Sequence, residues 1–291
     1  MKVAFIGTGG IGGPMAANLA RTQVDLTVCD LRAEALEPLR QLGARVTQRV
    51  ADCAVADCII LMVATDAQVR SVALGEDGLL HHIDAATSPL LIVMSSVLPA
   101  TVREVADVFA KGHGKVRVLD APVSGGPVAA ANGQLTILVG GEAADLASAR
   151  PVLDLLGNNI VHCGPLGTGE AVKIVNNILG VANMFLMTEA SRLAVELGLD
   201  VDWLAGVMEK SSGRNLATRD YTAHKTLYRL NTASPESLKA LLNICRKDLA
   251  LAQALAESNN LPLPLLEAIK VAMDETPNEA IGDHWRLLGN R

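Results

Sequence analysis

Aromatic side chains are nearly missing from this chain, with three Phe, two Tyr and two Trp making up 2% of its 291 residues. Half the residues are hydrophobic, so the cores are built from Ala, Val, Leu and Ile, and abundant alanine favours helix. Long apolar runs are also missing. No window approaches the roughly 18 uninterrupted apolar residues of a membrane-spanning helix, although mean hydropathy is positive at +0.31. The nearest candidate, 171–197, carries Lys173, Asn176, Asn177, Asn183, Glu189, Arg192 and Glu196 and therefore reads as a buried helix of a soluble domain. A basic surplus is absent too. The formal charge of -6 argues against nonspecific binding to nucleic acid or an anionic membrane, because nothing is available to displace their counterions. The five cysteines are odd in number and show no C-x-x-C spacing, which excludes a disulfide framework and fits free thiols in the cytoplasm. His81 and His82 are adjacent, no H-x-x-x-H or paired-carboxylate cluster occurs, and no metal is expected. The first residues read as a strand without a charged leader, so no signal peptide is expected.

What is present alternates. Short apolar runs at 3–6, 26–29, 58–63, 90–94 and 116–119 are separated by helical patterns at 14–21, 33–42, 67–72 and 100–110. Such alternation implies parallel strands joined by right-handed crossovers, a doubly wound α/β sheet. Runs at 135–139 and 160–161 around a helix at 143–156 extend the sheet to about residue 163. Beyond that point strand signals stop and helices follow at 170–197, 201–210, 235–259 and 264–274, with 214–233 left unassigned. Length and pattern predict a dinucleotide-binding domain over 1–163 and an all-helical domain over 164–291, divided where Gly and Pro cluster at 164–169.

Gly7-Thr8-Gly9-Gly10-Ile11-Gly12 follows the first strand and opens the first helix. In that context the first glycine permits a tight turn, the second lets a pyrophosphate approach the backbone, and the third lets helix and strand pack closely. Phosphate then sits at the positive end of the helix. Asp30 follows the second strand, where a carboxylate would accept hydrogen bonds from an adenosine ribose and repel a 2′-phosphate, favouring NAD. Arg32, two places on, offers a contact to NADP instead, and a plain glycine turn with Asp30 capping the following helix is the competing structural reading. The expected cofactor set also takes in Leu31, Val63 and Gln68.

The second informative stretch runs from Gly167 to Asn177 and places Lys173, Asn176 and Asn177 on neighbouring turns at the start of a long helix. Residues three and four apart share a helical face, so the lysine ammonium and one asparagine amide converge on one small molecule. A desolvated lysine serves as acid and base. Asn177 holds the reacting oxygen or positions Lys173, with Asn176 as the alternative, and either amide also suits helix-to-helix hydrogen bonding. Ser124 and the backbone N–H groups of Gly125 and Gly126 form a candidate anion nest for a carboxylate, or simply a tight turn.

Taken in order, these motifs resemble the β-hydroxyacid dehydrogenases over nearly the whole chain. Residues Phe5 to Leu19 resemble the family's cofactor signature, Asp120-Ala121-Pro122-Val123-Ser124-Gly125-Gly126 its substrate loop, and Gly167 to Asn177 its catalytic helix. Lys247-Asp248-Leu249 resembles a segment in which the lysine nears the nicotinamide, and Ser95-Ser96-Val97-Leu98-Pro99 a segment beside the nicotinamide ribose, which adds Ser96 and Lys247 to the cofactor set. Ser211-Ser212-Gly213-Arg214 resembles a segment at the cleft edge, which makes Arg214 a substrate-binding candidate or else a surface arginine. The resemblance implies a Rossmann-type domain joined by a long helix to a helical domain, an active site in the cleft between them, and assembly into homodimers or homotetramers. It further implies reversible hydride transfer between NAD(P) and a small β-hydroxy acid. Ile11 stands where the family has Met, a tolerable apolar exchange, whereas Ala240, where the family has an aromatic residue, implies an altered pocket wall. The competing functions are imine reduction, in which relatives commonly replace the lysine retained here, and nucleotide sensing without turnover.

Overall fold

The computed structural model of the chain describes residues 1–112 and 115–290; Arg291, the end of the expected helical domain, lies outside the described residues. The chain divides into two compact units, Met1–Lys173 and Ile174–Arg291. This division falls later than the expected boundary at 163/164, because the first turn of the long helix is hydrogen-bonded to the sheet.

The strands of the first unit are β1 (Lys2–Ile6), β2 (Asp25–Cys29), β3 (Arg45–Thr47), β4 (Cys58–Leu61), β5 (Leu90–Val93), β6 (Arg117–Asp120), β7 (Val123–Ser124), β8 (Leu135–Gly140) and β9 (Gly157–Gly164). Between them lie α1 (Gly12–Ala20), α2 (Ala33–Gln41), α3 (Asp66–Leu74), α4 (Pro99–Gly112), α5 (Gly126–Ala131) and α6 (Ala143–Leu153). One sheet results, ordered β3-β2-β1-β4-β5-β6-β8-β7, with β9 paired to β8. From β3 to β6 every pairing is parallel, as alternating strand and helix signals require.

Strand periodicity sends alternate side chains to opposite faces. Val3 and Phe5 of β1, Cys58 and Ile60 of β4, and Leu90 and Ile92 of β5 enter one apolar cluster; Ala4, Ile6, Ile59, Leu61, Leu91 and Val93 enter the other. Each fully buried aliphatic side chain contributes about 1.5–3 kcal/mol, so the two-sided core outweighs the weak β-propensity of its alanines.

Two expectations need correction. The sheet is not wholly parallel: β8 runs antiparallel to both β6 and β7. Residues 125–134 separate β7 from β8, fewer than the roughly dozen-residue crossover that a parallel pair needs, so the chain turns back on itself. The long helix α7 (Thr168–Glu196) is not buried along its length either. Only 33% of its most apolar 18-residue window is covered, and Val175, Leu179, Leu186 and Leu193 are each more than half exposed. By length and composition alone α7 could cross a membrane.

The remaining helices are α8 (Val201–Glu209), α9 (Leu216–Arg219), α10 (Tyr221–Asn231), α11 (Pro235–Ser258), α12 (Pro264–Glu275) and α13 (Asn278–Gly289). Helices α9 and α10 occupy the stretch that sequence left unassigned. Its helix starts are polar caps: Asn215 accepts from Ala217 N–H and Asp220 from Ala223 N–H. Five of the seven aromatic residues, all but Phe5 and Phe109, lie in this unit. Trp285 stacks on Tyr228 with centroids 5.5 Å apart and donates from Nε1 to Thr188 Oγ1 at 3.0 Å, while His224 packs edge-on to Tyr228 at 4.6 Å.

Burial lowers the pKa of His224 from 6.5 to about 4, and its Nε2 has no hydrogen-bond partner. The unfolded chain therefore takes up a proton below pH 6.5 that the folded chain refuses until about pH 4. Stability is expected to fall as pH drops through that window, by roughly 3 kcal/mol in all, and to level off below it. Urea titrations at stepped pH should show the loss, and His224→Phe should flatten it. An unchanged slope in the variant would assign the acid sensitivity elsewhere.

Candidate active site

Most expected site residues of the first unit lie at the C-terminal ends of parallel strands. There, β1 lies between β2 and β4, and the connections leave in opposite directions. Ligands bind open α/β sheets at such a switch point. The loop after β1 is shaped by its own packing at two glycines. Gly7 takes φ +102° and lies against the Met62 carbonyl, and Gly12 lies against the Gly7 carbonyl, so a Cβ at either position would collide with backbone. Gly9 and Gly10 differ. A Cβ at either would meet no protein atom within 4 Å, and neither needs positive φ, so nothing inside the protein demands glycine there. Open backbone ahead of α1 fits a dinucleotide pyrophosphate.

The Asp30 carboxylate accepts from Thr8 N–H at 2.7 Å, Thr8 Oγ1 at 2.8 Å and the Arg32 N–H at 3.0 Å, and it pairs with the Arg32 guanidinium at 3.1 Å. Burial pushes its pKa up, but the hydrogen bonds from Arg32 and Thr8 outweigh burial and hold the carboxyl well below its usual range. Arg32, which sequence offered as a contact for a 2′-phosphate, is thus tied to Asp30, while Leu31 beside it is 82% exposed. Ile11 precedes α1 as its cap residue without a capping side chain.

Hydrogen bonds chain the next loops together. Val63 N–H donates to Ser95 Oγ at 2.8 Å, and Gln68 accepts from Ala64 N–H at 2.8 Å. Ser96 follows on the loop between β5 and α4, where Val97 N–H donates to the buried Glu170 carboxylate at 3.1 Å. Glu170 belongs to the first turn of α7, and Lys173, one turn on, is 8% exposed. The Asp120 carboxylate at the end of β6 receives Gly167 N–H at 2.7 Å and Glu170 N–H at 2.8 Å. Past β6, Ser124 is half-buried, and Gly125 and Gly126 are exposed and take φ of 138° and 72° at the start of α5.

In the second unit, Asn177 Nδ2 donates to Asp248 Oδ2 of α11 at 2.8 Å. An ionised carboxylate only accepts, so this bond fixes which end of the Asn177 amide faces α11. Asn176 is exposed and donates to Asn177 Oδ1 at 3.2 Å, and Lys247 Nζ lies 3.2 Å from Asp248 Oδ1. Two expected site residues, Asn177 and Lys247, thus meet at Asp248, whose role sequence did not single out; the carboxylate directly after Lys247 was the available signal. Arg214 lies apart from them in an ion pair with Glu209 at 3.0 Å, 69% exposed. Ala240 is an exposed position of α11.

The comparisons with known proteins agree along the chain. Residues 2–164 match the model for the NAD-binding domain of 6-phosphogluconate dehydrogenase, and residues 167–286 match that for the NAD-binding domain of NADP-dependent 3-hydroxyisobutyrate dehydrogenase. A 3-hydroxyisobutyrate dehydrogenase of Pseudomonas aeruginosa is 40% identical over 90% of this chain and 88% of its own. An NAD-dependent L-serine dehydrogenase of the same organism is 37% identical over 91% of this chain and 88% of its own. The solved Mycobacterium tuberculosis 3-hydroxyisobutyrate dehydrogenase with L-serine superposes with a TM-score of 0.76 at 29% identity, covering 94% of this chain and 92% of that one. With both halves matched in order and a glycine loop left open for a dinucleotide, the chain belongs to the β-hydroxyacid dehydrogenases and is an NAD(P)-dependent hydroxy-acid oxidoreductase.

Proposed function

We propose that the chain oxidises a small β-hydroxy acid to its semialdehyde or oxo acid, with NAD preferred over NADP and Lys173 as the acid/base group. The observation that carries this reading is the burial of Lys173 on the first turns of α7, a helix start tied by hydrogen bonds to the loop after β5 and to the end of β6. A lysine shielded from water gives up its proton more readily than a solvated one, which leaves a neutral amine able to act as the base. Bound NAD supplies the hydride acceptor. Gly7, Thr8, Gly9, Gly10, Ile11 and Gly12 would hold its phosphates, Asp30 its adenosine ribose, and Leu31, Arg32, Val63, Gln68, Ser96 and Lys247 would line the rest of it. Lys173 takes the hydroxyl proton during oxidation and returns it in the reverse direction. Asn177, held by Asp248, orients the reacting oxygen, with Asn176 beside it. Ser124 and the N–H groups of Gly125 and Gly126 receive the carboxylate, and Arg214 assists at the rim.

The substrate class is supported by the relatives' names, since 3-hydroxyisobutyrate and L-serine are both 3-hydroxy acids. A panel of 2-hydroxy and 3-hydroxy acids with each nicotinamide cofactor, followed by reduced-nicotinamide absorbance, tests it. Turnover restricted to 3-hydroxy acids with NAD favoured is expected, and silence across the panel would sink the proposal.

The proposal extends to a homodimer or homotetramer formed through α7. Val172, Val175, Leu179, Leu186, Leu193 and Leu197 recur at helical spacing and are all at least 42% exposed, an apolar stripe of the kind that marks an interface. Sedimentation is expected to report a multiple of the 30.5 kDa chain, with Leu186→Glu shifting it to the monomer. A wild-type monomer at micromolar concentration would reject this assembly. A cytoplasmic location is supported by five free cysteines, four of them buried.

A further inference from the structure

We propose that Asp120 is a positioning residue for Lys173: its buried carboxylate is the cap that seats the first turn of α7 on the sheet. The inference rests on the reading of Lys173 as the acid/base group.

Helix α7 begins at Thr168, and its first N–H groups need acceptors that the helix itself cannot supply. The residue before it is Gly167, with φ +91° and no side chain to cap the helix, and only the Thr168 N–H finds a local acceptor, the Pro165 carbonyl at 3.0 Å. For the Gly167 N–H the acceptor comes instead from 47 residues away in sequence. Both Asp120 oxygens are used, one by Gly167 N–H and the other by Glu170 N–H. An anion is favoured at a helix N-terminus, and a charged acceptor makes each bond shorter and stronger than a neutral one.

The surroundings are cut to this carboxylate. Asp120 is completely buried. A Cβ on Gly140 would collide with it, and a Cβ on Gly169 would strike the Leu138 carbonyl and come within 2.9 Å of Asp120 Oδ2. Two missing side chains thus let the helix start sit directly on β8. Burial raises the Asp120 pKa, opposed by hydrogen bonds from the backbone of Gly167, Glu170 and Gly169. Asp120 also opens the Asp120-Ala121-Pro122-Val123-Ser124 segment, so one residue registers the expected carboxylate loop against the expected proton-transfer group. Fully enclosed, the Asp120 carboxyl has no route to substrate and acts through the helix. A misplacement of about 1 Å in a reacting group costs on the order of 10²-fold in rate.

The test uses the full-length Asp120→Asn variant, which keeps the volume but turns one acceptor into an amide donor, with 3-hydroxyisobutyrate and L-serine as probes. NAD sites are counted by titration, and kcat is expressed per site so that a smaller folded fraction cannot imitate the effect. A fall in kcat of about 10²-fold is expected with the Kd for NAD changed less than about threefold. In a Lys173→Ala background the Asp120→Asn change should cost nothing more. Asp120→Ser, which keeps one acceptor, repeats the measurement if the amide variant does not fold, and should give an intermediate kcat. Wild-type kcat per site in a folded variant would overturn the proposal, as would a further loss in the Lys173→Ala background. The two readings fail separately: an active Lys173→Ala protein removes the acid/base assignment, whereas an inactive one beside a fully active Asp120→Asn protein removes only the cap.

Discussion

Replacing Lys173 with alanine is expected to lower kcat by about 10³-fold while leaving NAD affinity within a factor of two. General acid–base catalysis contributes about 10²–10⁴-fold, and the chain offers no other lysine or histidine on the first turns of α7 to substitute for it. The proton leaves the hydroxyl as hydride leaves carbon, so losing the base raises the barrier for both directions. The glycine loop and Asp30 belong to other elements, which is why cofactor binding should survive. Lys173→Met is the companion variant. It keeps an apolar stem of similar volume in a site that is 8% exposed, so a normal melting temperature with lost turnover separates chemistry from packing. Steady-state rates and calorimetric NAD titration measure the two quantities. A kcat within a few-fold of wild type would remove the proposed base.

Alanine at two glycines of the same loop should give opposite outcomes. Gly7→Ala is expected to destabilise the first unit by about 3 kcal/mol, combining a positive-φ backbone with a side chain forced against the Met62 carbonyl. Gly9→Ala should leave the melting temperature unchanged, because its methyl would meet no protein atom within 4 Å. The cost appears only with the ligand. The methyl would occupy space that a pyrophosphate needs, and the Kd for NAD is expected to rise by at least about tenfold, roughly 1.4 kcal/mol. Thermal melts with and without NAD distinguish the cases. If Gly9→Ala binds NAD normally, the open backbone ahead of α1 is not the phosphate site.

The glycine turn after β1 was legible because the close packing at Gly7 and Gly12 is local. Gly7, Gly9 and Gly12 lie within one turn between one strand and one helix, and their spacing carries the whole requirement. Parallel strands β1, β2, β4 and β5 were legible for a related reason, since burial on both faces leaves short runs that are apolar apart from Lys2, Asp25 and Thr27. Other elements left no such mark. Three-residue β3 and two-residue β7 are too short for periodicity to register, and α9 and α10 are polar enough that their caps rather than their faces define them.

By itself, the sequence determined the alternation of strand and helix, the tight glycine turn after β1 and the succession to an all-helical region. Those properties depend on neighbours a few positions apart, where backbone geometry turns spacing directly into facing. Only the tertiary structure decided that Asp120 caps α7 from 47 residues away and that Asp248 holds Asn177 across 71. It alone reversed β8 and left one side of α7 uncovered. Acceptors for buried N–H groups, and partners for apolar faces, are found wherever the folded chain brings them, and distance along the chain carries no record of that meeting.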